Sequence, residues 1–245
     1  MWYWLFKYIF MGPLLALLGR PKVEGLESVP RTGPAILASN HLAVADSFYL
    51  PLVVRRRITF LAKREYFTGT GLKGWFIRWF YSTTGQVPID RSSGDAAQAA
   101  LETAERLLNE GKLLGMYPEG TRSPDGRLYK GKTGLARLAL HTGVPVIPVA
   151  MIGTDKVNPP GSKMWRFAKV TVRFGKPMDF SRFEGLAGNL FIERAVTDEV
   201  MYELMRLSGQ EYVDIYAATV KNGHTADESG SDSETPARIP ETAAG

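Results

Sequence analysis

The chain has 245 residues, of which 44% are hydrophobic and 22% are charged, so it is long enough for one large globular domain or two small ones. It contains no cysteine, which excludes disulfides, thiolate nucleophiles and cysteine-based metal sites. The three histidines, His41, His141 and His224, lie far apart in the sequence, and we therefore expect no metal centre.

The net charge of +5 is unevenly distributed along the chain. Residues 221–245 contain two basic and five acidic side chains, a balance of −3, so the rest of the chain carries +8. A basic body indicates anionic partners, such as phosphorylated substrates, anionic lipid head groups or nucleic acid. The acidic segment 221–245 is polar and rich in Gly and Ser, which predicts a disordered tail.

Residues 2–18 form an apolar run that is rich in aromatic side chains. A membrane-spanning helix needs about 20 apolar residues, and this run is shorter and is interrupted by Lys7, Gly12 and Pro13. Trp and Tyr at its beginning favour the boundary between water and lipid. We therefore expect an interfacial membrane helix over residues 1–20, and the alternative is a helix that packs on the domain's own core.

Strand-like apolar runs alternate with helical patterns over the next 200 residues. The predicted strands cover residues 22–27, 35–39, 58–63, 86–90, 113–117, 144–151 and 169–174. The predicted helices cover residues 46–55, 71–81, 95–109, 132–142 and 188–218, the last with a break at Gly209. This alternation predicts an α/β fold, with a mixed, largely parallel sheet flanked by helices on both faces, in one domain over residues 21–220.

A histidine and a carboxylate lie between the second predicted strand and the helix that follows it. His41 comes after the strand, and Asp46 begins the helix. On one continuous helix they would point about 140° apart, but a turn over residues 42–45 can bring them together. A carboxylate that is hydrogen-bonded to one imidazole nitrogen leaves the other nitrogen able to act as a general base. The alternative is that His41 packs at the strand end and Asp46 only caps the helix.

Two later stretches, each at the end of a predicted strand, carry arginines suited to a phosphate. Arg91 follows the strand 86–90, and Arg122 follows the strand 113–117. A guanidinium donates several hydrogen bonds in one plane, which fits a phosphate, and α/β sheets bind ligands beyond their strand ends. The alternatives are a surface salt bridge at Arg91 and a capped turn at Arg122.

The residues just before Arg122 add further polar groups. Gly120 lets the backbone approach a ligand closely, and Thr121 offers a hydroxyl. Glu119 cannot bind a phosphate directly, but it can orient an arginine or accept a hydrogen bond from a substrate hydroxyl. A fourth stretch, the strand 144–151, contains two prolines and either walls an apolar slot or is a plain core strand.

Taken in order, these four stretches resemble a known family. They are Asn-His-x4-Asp from residue 40, Gly-x-Val-x-Ile-Asp-Arg from residue 85, Tyr-Pro-Glu-Gly-Thr-Arg-Ser from residue 117 and Val-Pro-Val-Ile-Pro-Val from residue 144. The series resembles the four sequence blocks of the glycerolipid acyltransferases, and within that family the enzymes that acylate 1-acyl-sn-glycerol 3-phosphate (lysophosphatidic acid).

The resemblance implies transfer of a long-chain fatty acyl group from acyl-CoA or acyl carrier protein to lysophosphatidic acid, which gives phosphatidic acid. It implies that His41 is the general base and that Asp46 orients it. The residues expected to bind substrate are Lys63, Arg91, Glu119, Gly120, Thr121 and Arg122, with Lys63 a candidate for stabilising the oxyanion. No cofactor beyond the acyl donor, no metal and no nucleic acid is expected.

The same resemblance implies a peripheral or monotopic protein on the cytoplasmic face of the cell membrane, in contact with anionic lipid. Three alternatives stay open. The acceptor could be glycerol 3-phosphate or another lysophospholipid. His41 could instead activate water, which would hydrolyse a lipid ester or thioester without any acceptor. A non-catalytic protein that binds membrane or nucleic acid would be indifferent to His41→Ala.

Overall fold

The computed structural model describes residues 2–63, 65–71, 74–75, 78, 86–89, 96–159, 162 and 164–221. The strands are β1 Lys22–Glu24, β2 Ala35–Ser39, β3 Ile58–Lys63, β4 Gln86–Ile89, β5 Leu113–Met116, β6 Leu128–Tyr129, β7 Val146–Ile152, β8 Thr171–Phe174 and β9 Tyr212–Val213. The helices are α1 Trp2–Leu5, α2 Met11–Gly19, α3 Asp46–Val53, α4 Glu65–Thr68, α5 Ala96–Asn109, α6 Gly134–Thr142, α7 Thr154–Val157 and α8 Leu190–Ser208.

Within these ranges seven strands form one sheet in the order β1-β8-β7-β2-β5-β3-β4. Neighbouring strands pair parallel, except that β7 and β8 are antiparallel. The prediction of a mixed, largely parallel sheet is therefore confirmed. Crossover helices let parallel strands be neighbours, which is why the chain alternates between strands and helices.

Helices cover both faces of the sheet, as the apolar pattern predicts. Successive residues of a strand point to opposite faces, so in β2 the side chain of Leu37 joins one core while Ile36 and Ala38 join the other. The first core packs against α2, α3 and α7. The second packs against α5, α6 and α8.

The break predicted at Gly209 within the helical stretch 188–218 is confirmed, but the helix predicted directly after it is wrong. Helix α8 ends at Ser208, and Gly209 adopts a φ of 72°, a left-handed conformation that commonly terminates a helix. The chain then forms β9, which pairs in parallel with β6, and a helical turn over residues 217–221. Both strands have two residues, too few for a period-two pattern to identify them in the sequence.

The N-terminal segment is helical from Trp2 to Gly19, with a π-helical turn over Phe6–Phe10 between α1 and α2. Its inner side packs on the domain, where the Tyr49 hydroxyl donates to the carbonyl of Leu15 at 3.0 Å. Its outer side exposes large apolar and aromatic side chains, namely Trp4, Tyr8, Ile9, Leu14 and Leu17. No helix in the described part of the chain is long and apolar enough to cross a membrane.

Some predicted features lie outside the described residues. Most of the predicted helix 71–81, the residue Arg91 and the tail beyond residue 221 belong to this group. The side chain of Lys63, at the end of β3, is also outside the description.

Strand register places two predicted motifs side by side. Ala38 of β2 pairs with Met116 of β5, so the segments that follow these strands leave the same edge of the sheet as neighbours. Gly115 pairs with Phe60 of β3, and a Cβ at position 115 would lie 2.3 Å from the Phe60 ring. A glycine is therefore required for this ring to lie across β5.

We predict that Gly115→Ala lowers the free energy of unfolding by about 1–3 kcal/mol, because the Phe60 ring must move within a packed region. Gly134→Ala is the matched control, since its added Cβ meets only Leu101 at 3.6 Å, an ordinary contact. Urea unfolding of both variants measures the difference. Equal stability of the two variants would contradict the packing argument.

Candidate active site

The turn between β2 and α3 is built around the carboxylate of Asp46, which is fully buried. Its Oδ2 lies 2.9 Å from Nδ1 of His41 and accepts the backbone N–H groups of Leu42 at 2.7 Å and Ala43 at 2.8 Å. The prediction that a turn brings His41 and Asp46 together is confirmed. Because the carboxylate accepts, Nδ1 carries the hydrogen and Nε2 is left as a proton acceptor.

Tyr117 fixes the plane of the His41 ring. The two rings are stacked, with centroids 3.8 Å apart and planes inclined by 11°. The Tyr117 hydroxyl lies 3.0 Å from Oγ of Ser47, at the start of α3. Burial, and then the charge of Asp46, raise the pKa of Tyr117, so the phenol stays protonated at neutral pH. The motif that begins at Tyr117 was identified from sequence, but this stacking role was not.

Within the described part of the chain, the Glu119 carboxylate accepts hydrogen bonds from backbone N–H groups and not from an arginine. Its Oε1 accepts the N–H of His41 and its Oε2 accepts the N–H of Tyr129 in β6, each at 3.0 Å. Burial raises the pKa of Glu119 to about 7, against the lowering effect of these two hydrogen bonds. Glu119 therefore connects the loop that carries His41 to the short strand β6, a different arrangement from the two roles suggested by sequence.

Asn40 connects the same loop to two distant parts of the chain. Its Oδ1 accepts the N–H of Met151 at 2.7 Å, and its Nδ2 donates to the Met151 carbonyl at 3.0 Å and to Oε1 of Gln210 at 2.6 Å. Gln210 in turn donates to the carbonyl of Gly126 at 2.6 Å. The segment after α8 thus ties together the loops that follow β2 and β5.

Lys221 contacts the third motif directly. Its Nζ donates to Oγ1 of Thr121 at 2.8 Å and to the carbonyl of Arg122 at 2.5 Å. The sequence places residue 221 in the predicted tail and gives no sign of this contact. An isolated lysine some 100 positions from the motif carries no local signal that would identify it.

A cavity of about 830 Å³ opens beside His41. Part of its wall is polar and basic, formed by His41, Gly120, Thr121, Arg122, Lys132 and Arg137. Another part is apolar and comes from α2, α3 and β3, with Met11, Leu15, Phe48, Leu52 and Phe60 among its residues. The cavity therefore combines a cationic region with an apolar region that suits a long hydrocarbon chain.

Lys132 is a cavity residue that sequence analysis did not select. Gly120 has a φ of 73°, and a Cβ at this position would lie 3.0 Å from Cε of Lys132, so the lysine side chain passes directly over the glycine. This places the side chains of Lys132 and Arg122 on the same wall as Thr121. By contrast, the buried strand β7 is a core strand and is not part of the described cavity lining.

The sequence profile described as Acyltransferase matches residues 20–152, which include all of the turn between β2 and α3 and the loop after β5. The chain belongs to the Acyltransferase family. The crystal structure of the 1-acyl-sn-glycerophosphate (LPA) acyltransferase PlsC from Thermotoga maritima is similar, with a TM-score of 0.61 and 26% identity. The similarity covers 80% of this chain and 75% of that one.

Curated relatives in the family include plant and animal proteins. A chloroplastic 1-acyl-sn-glycerol-3-phosphate acyltransferase of Arabidopsis thaliana is 34% identical over 67% of this chain and 45% of its own length. The 1-acyl-sn-glycerol-3-phosphate acyltransferase alpha of Mus musculus is 33% identical over 54% of this chain and 45% of its own length. The chain thus spans about half the length of these two relatives.

We predict that Glu119 makes stability depend on pH. Its pKa of about 7 in the folded protein exceeds the ordinary 4.5, so between these values the folded state binds more protons than the unfolded state. The free energy of unfolding therefore falls as the pH rises from about 4.5 to about 7. The effect is at most a few kcal/mol, since one pKa unit corresponds to about 1.4 kcal/mol.

Glu119→Gln removes this titration, so the stability of wild type relative to the variant should decrease between pH 5 and pH 7.5. Urea unfolding of both proteins at the two pH values measures the change, and the other titrating groups cancel in the comparison. A difference that does not vary with pH would show that Glu119 is ionised throughout.

Proposed function

We propose that the protein is an O-acyltransferase that moves a long-chain fatty acyl group from acyl-CoA, or from acyl carrier protein, to the free hydroxyl of 1-acyl-sn-glycerol 3-phosphate. The product is phosphatidic acid, a precursor in phospholipid biosynthesis. The observation that carries the proposal is the His41–Asp46 pair, which faces a cavity with both cationic and apolar walls. The names of the similar proteins support the same acceptor.

In the proposed reaction, Nε2 of His41 takes the proton from the acceptor hydroxyl as that oxygen attacks the thioester carbonyl carbon. A C–O bond forms, and the carbonyl oxygen becomes an oxyanion. When the C–S bond breaks, the thiolate leaves and takes the proton back from His41. Asp46 stabilises the imidazolium between these steps, because its Oδ2 lies 2.9 Å from Nδ1.

The cationic wall is the proposed site for the acceptor phosphate. Arg122 and Lys132 line it, and Thr121 adds a hydroxyl beside the backbone of Gly120. Guanidinium and ammonium groups form charge-assisted hydrogen bonds with phosphate. Arg91 is proposed for the same phosphate and Lys63 for the oxyanion, on the resemblance of their sequence blocks. Glu119 acts through the backbone of His41, which its Oε1 holds at 3.0 Å.

The apolar wall is the proposed site for an acyl chain, and it is formed partly by the N-terminal helix. Met11 and Leu15 face the cavity, while Leu14 and Leu17 on the other side of α2 are exposed. We propose that residues 1–20 lie in the lipid interface, peripheral or monotopic, on the cytoplasmic face of the cell membrane. Residues 21–220 are then the acyltransferase domain, followed by the acidic tail 221–245.

We predict that His41→Ala loses essentially all acyl transfer. The assay supplies palmitoyl-CoA and lysophosphatidic acid in detergent and measures free thiol and phosphatidic acid together. His141→Ala is the matched control, since His141 lies in α6, with 60% of its side chain exposed, and pairs with Glu105 at 3.2 Å. Retention of transfer by His41→Ala would rule out this histidine as the base.

The same assay separates the alternatives. Thiol and free fatty acid without phosphatidic acid would indicate hydrolysis. Faster transfer to glycerol 3-phosphate than to lysophosphatidic acid would identify glycerol 3-phosphate as the acceptor. If palmitoyl-CoA yields no thiol, palmitoyl-acyl carrier protein is the donor to test, and failure with both donors would contradict the proposed activity.

We predict that Arg122→Ala raises KM for lysophosphatidic acid about tenfold or more, with a smaller effect on kcat, because one charge-assisted hydrogen bond to phosphate contributes about 1.5–3 kcal/mol. The discriminating substrate is monoacylglycerol, which lacks the phosphate and should be used equally well by wild type and variant. Arg106→Ala, which changes an exposed side chain on α5, is the control. An equal loss with both acceptors would exclude a phosphate-specific role.

A further inference from the structure

The loop between α7 and β8 carries two large apolar side chains that point into solvent. Met164 is 75% exposed and Phe167 is 74% exposed. Between them, Trp165 turns inward and packs edge-on against Phe48, with ring centroids 5.7 Å apart. Two exposed side chains as large as Met and Phe, on either side of a partly buried Trp, are unusual for a loop that contacts only water.

Backbone hydrogen bonds hold this loop in place on both sides. The N–H of Arg166 donates to the carbonyl of Val157 at 2.7 Å, and the N–H of Ala168 donates to the carbonyl of Leu18 at 3.1 Å. The next bond, from the N–H of Val170 to the carbonyl of Gly19 at 2.8 Å, continues along the end of α2. These bonds fix the apolar side chains outward, beside the helix that exposes Leu17.

Basic side chains predominate in the sequence around this loop. Residues 156–178 contain no acidic side chain and six basic ones: Lys156, Lys163, Arg166, Lys169, Arg173 and Lys176. Arg166 and Lys169 flank Phe167 and are exposed. Residues 1–23, which precede and include α2, also contain no acidic side chain. An exposed apolar side chain flanked by exposed cations is complementary to a surface of anionic lipid.

We propose that residues 164–169 are a second membrane-contact element, which inserts Met164 and Phe167 into the interface of an anionic bilayer beside the N-terminal helix. A second copy of the chain is a poorer partner, because two such basic patches repel each other. Since Trp165 packs on Phe48, which lines the cavity, this contact holds the cavity side of the domain against the lipid. The proposal builds on the proposed membrane association and does not depend on the reaction.

The test is flotation of the full chain with vesicles of phosphatidylcholine containing phosphatidylglycerol, with no substrate present. Transfer of a Met or Phe side chain out of water favours binding to the vesicle. Phe167→Ser should therefore weaken binding about tenfold or more, and Met164→Ser combined with Phe167→Ser should weaken it further. Arg166→Glu with Lys169→Glu should reduce binding to anionic vesicles and leave binding to pure phosphatidylcholine much less affected.

Phe191→Ser is the matched control. Phe191 is 86% exposed at the start of α8, which packs on the opposite face of the sheet. The proposal would be overturned if Phe167→Ser bound vesicles as strongly as the wild type. It would also be overturned if Phe191→Ser lost as much vesicle binding as Phe167→Ser. Unchanged thermal unfolding midpoints confirm that both variants fold.

Sedimentation velocity without lipid tests whether a second copy of the chain covers the patch instead. Wild-type dimers that become monomers in Phe167→Ser would assign the patch to self-association and overturn the membrane proposal. Because no arm of the experiment uses acyl transfer, a protein that binds vesicles through Phe167 but transfers no acyl group would refute the proposed reaction alone.

Discussion

One buried carboxylate oxygen, Oδ2 of Asp46, determines the conformation of the chain between β2 and α3. It accepts the backbone N–H groups of Leu42 and Ala43 and lies in hydrogen-bond distance of His41 Nδ1. Buried N–H groups without acceptors would each cost about 1–3 kcal/mol, so the loop cannot keep its shape without this oxygen. The same atom therefore holds the backbone turn and sets the direction of His41 Nε2, and neither can change independently.

A second buried carboxyl group, Glu119, also accepts backbone N–H groups, from the end of the neighbouring strand β5. Burial raises the pKa of Glu119 most, the N–H groups of Tyr129 and His41 lower it, and the charge of Asp46 raises it further. Two buried carboxyl groups, Asp46 and Glu119, thus hold the loops around the site through hydrogen bonds to their backbone. The cationic side chains of Arg122 and Lys132 line the cavity instead, where an anionic ligand can reach them.

The sequence predicted what depends on local pattern. Buried runs located the strands of the large sheet, and a turn over residues 42–45 was one of two alternatives, the one that brings His41 and Asp46 together. What it missed depends on contacts distant in sequence, such as Asn40 with Gln210 and Thr121 with Lys221. These polar residues follow no periodicity, and their partners are fixed only when β9 pairs with β6. Glu119 was recognised as part of a motif, but its partner Tyr129 lies in a strand of two residues.

The N-terminal helix links the proposed membrane contact to the cavity. Gly19 is packed against the ring of Tyr49. The ammonium group of Lys7 is buried, donates to the carbonyl of Val54 and lies near the rings of Trp4 and Tyr8. Burial lowers the pKa of Lys7 to about 8. A helix that was only an anchor would not need such packing against the domain. Because α2 forms cavity wall on its inner side, the proposed lipid contact of its outer side would bring the cavity close to the bilayer. In the proposed reaction an acyl chain would then move between bilayer and cavity with little apolar surface exposed to water.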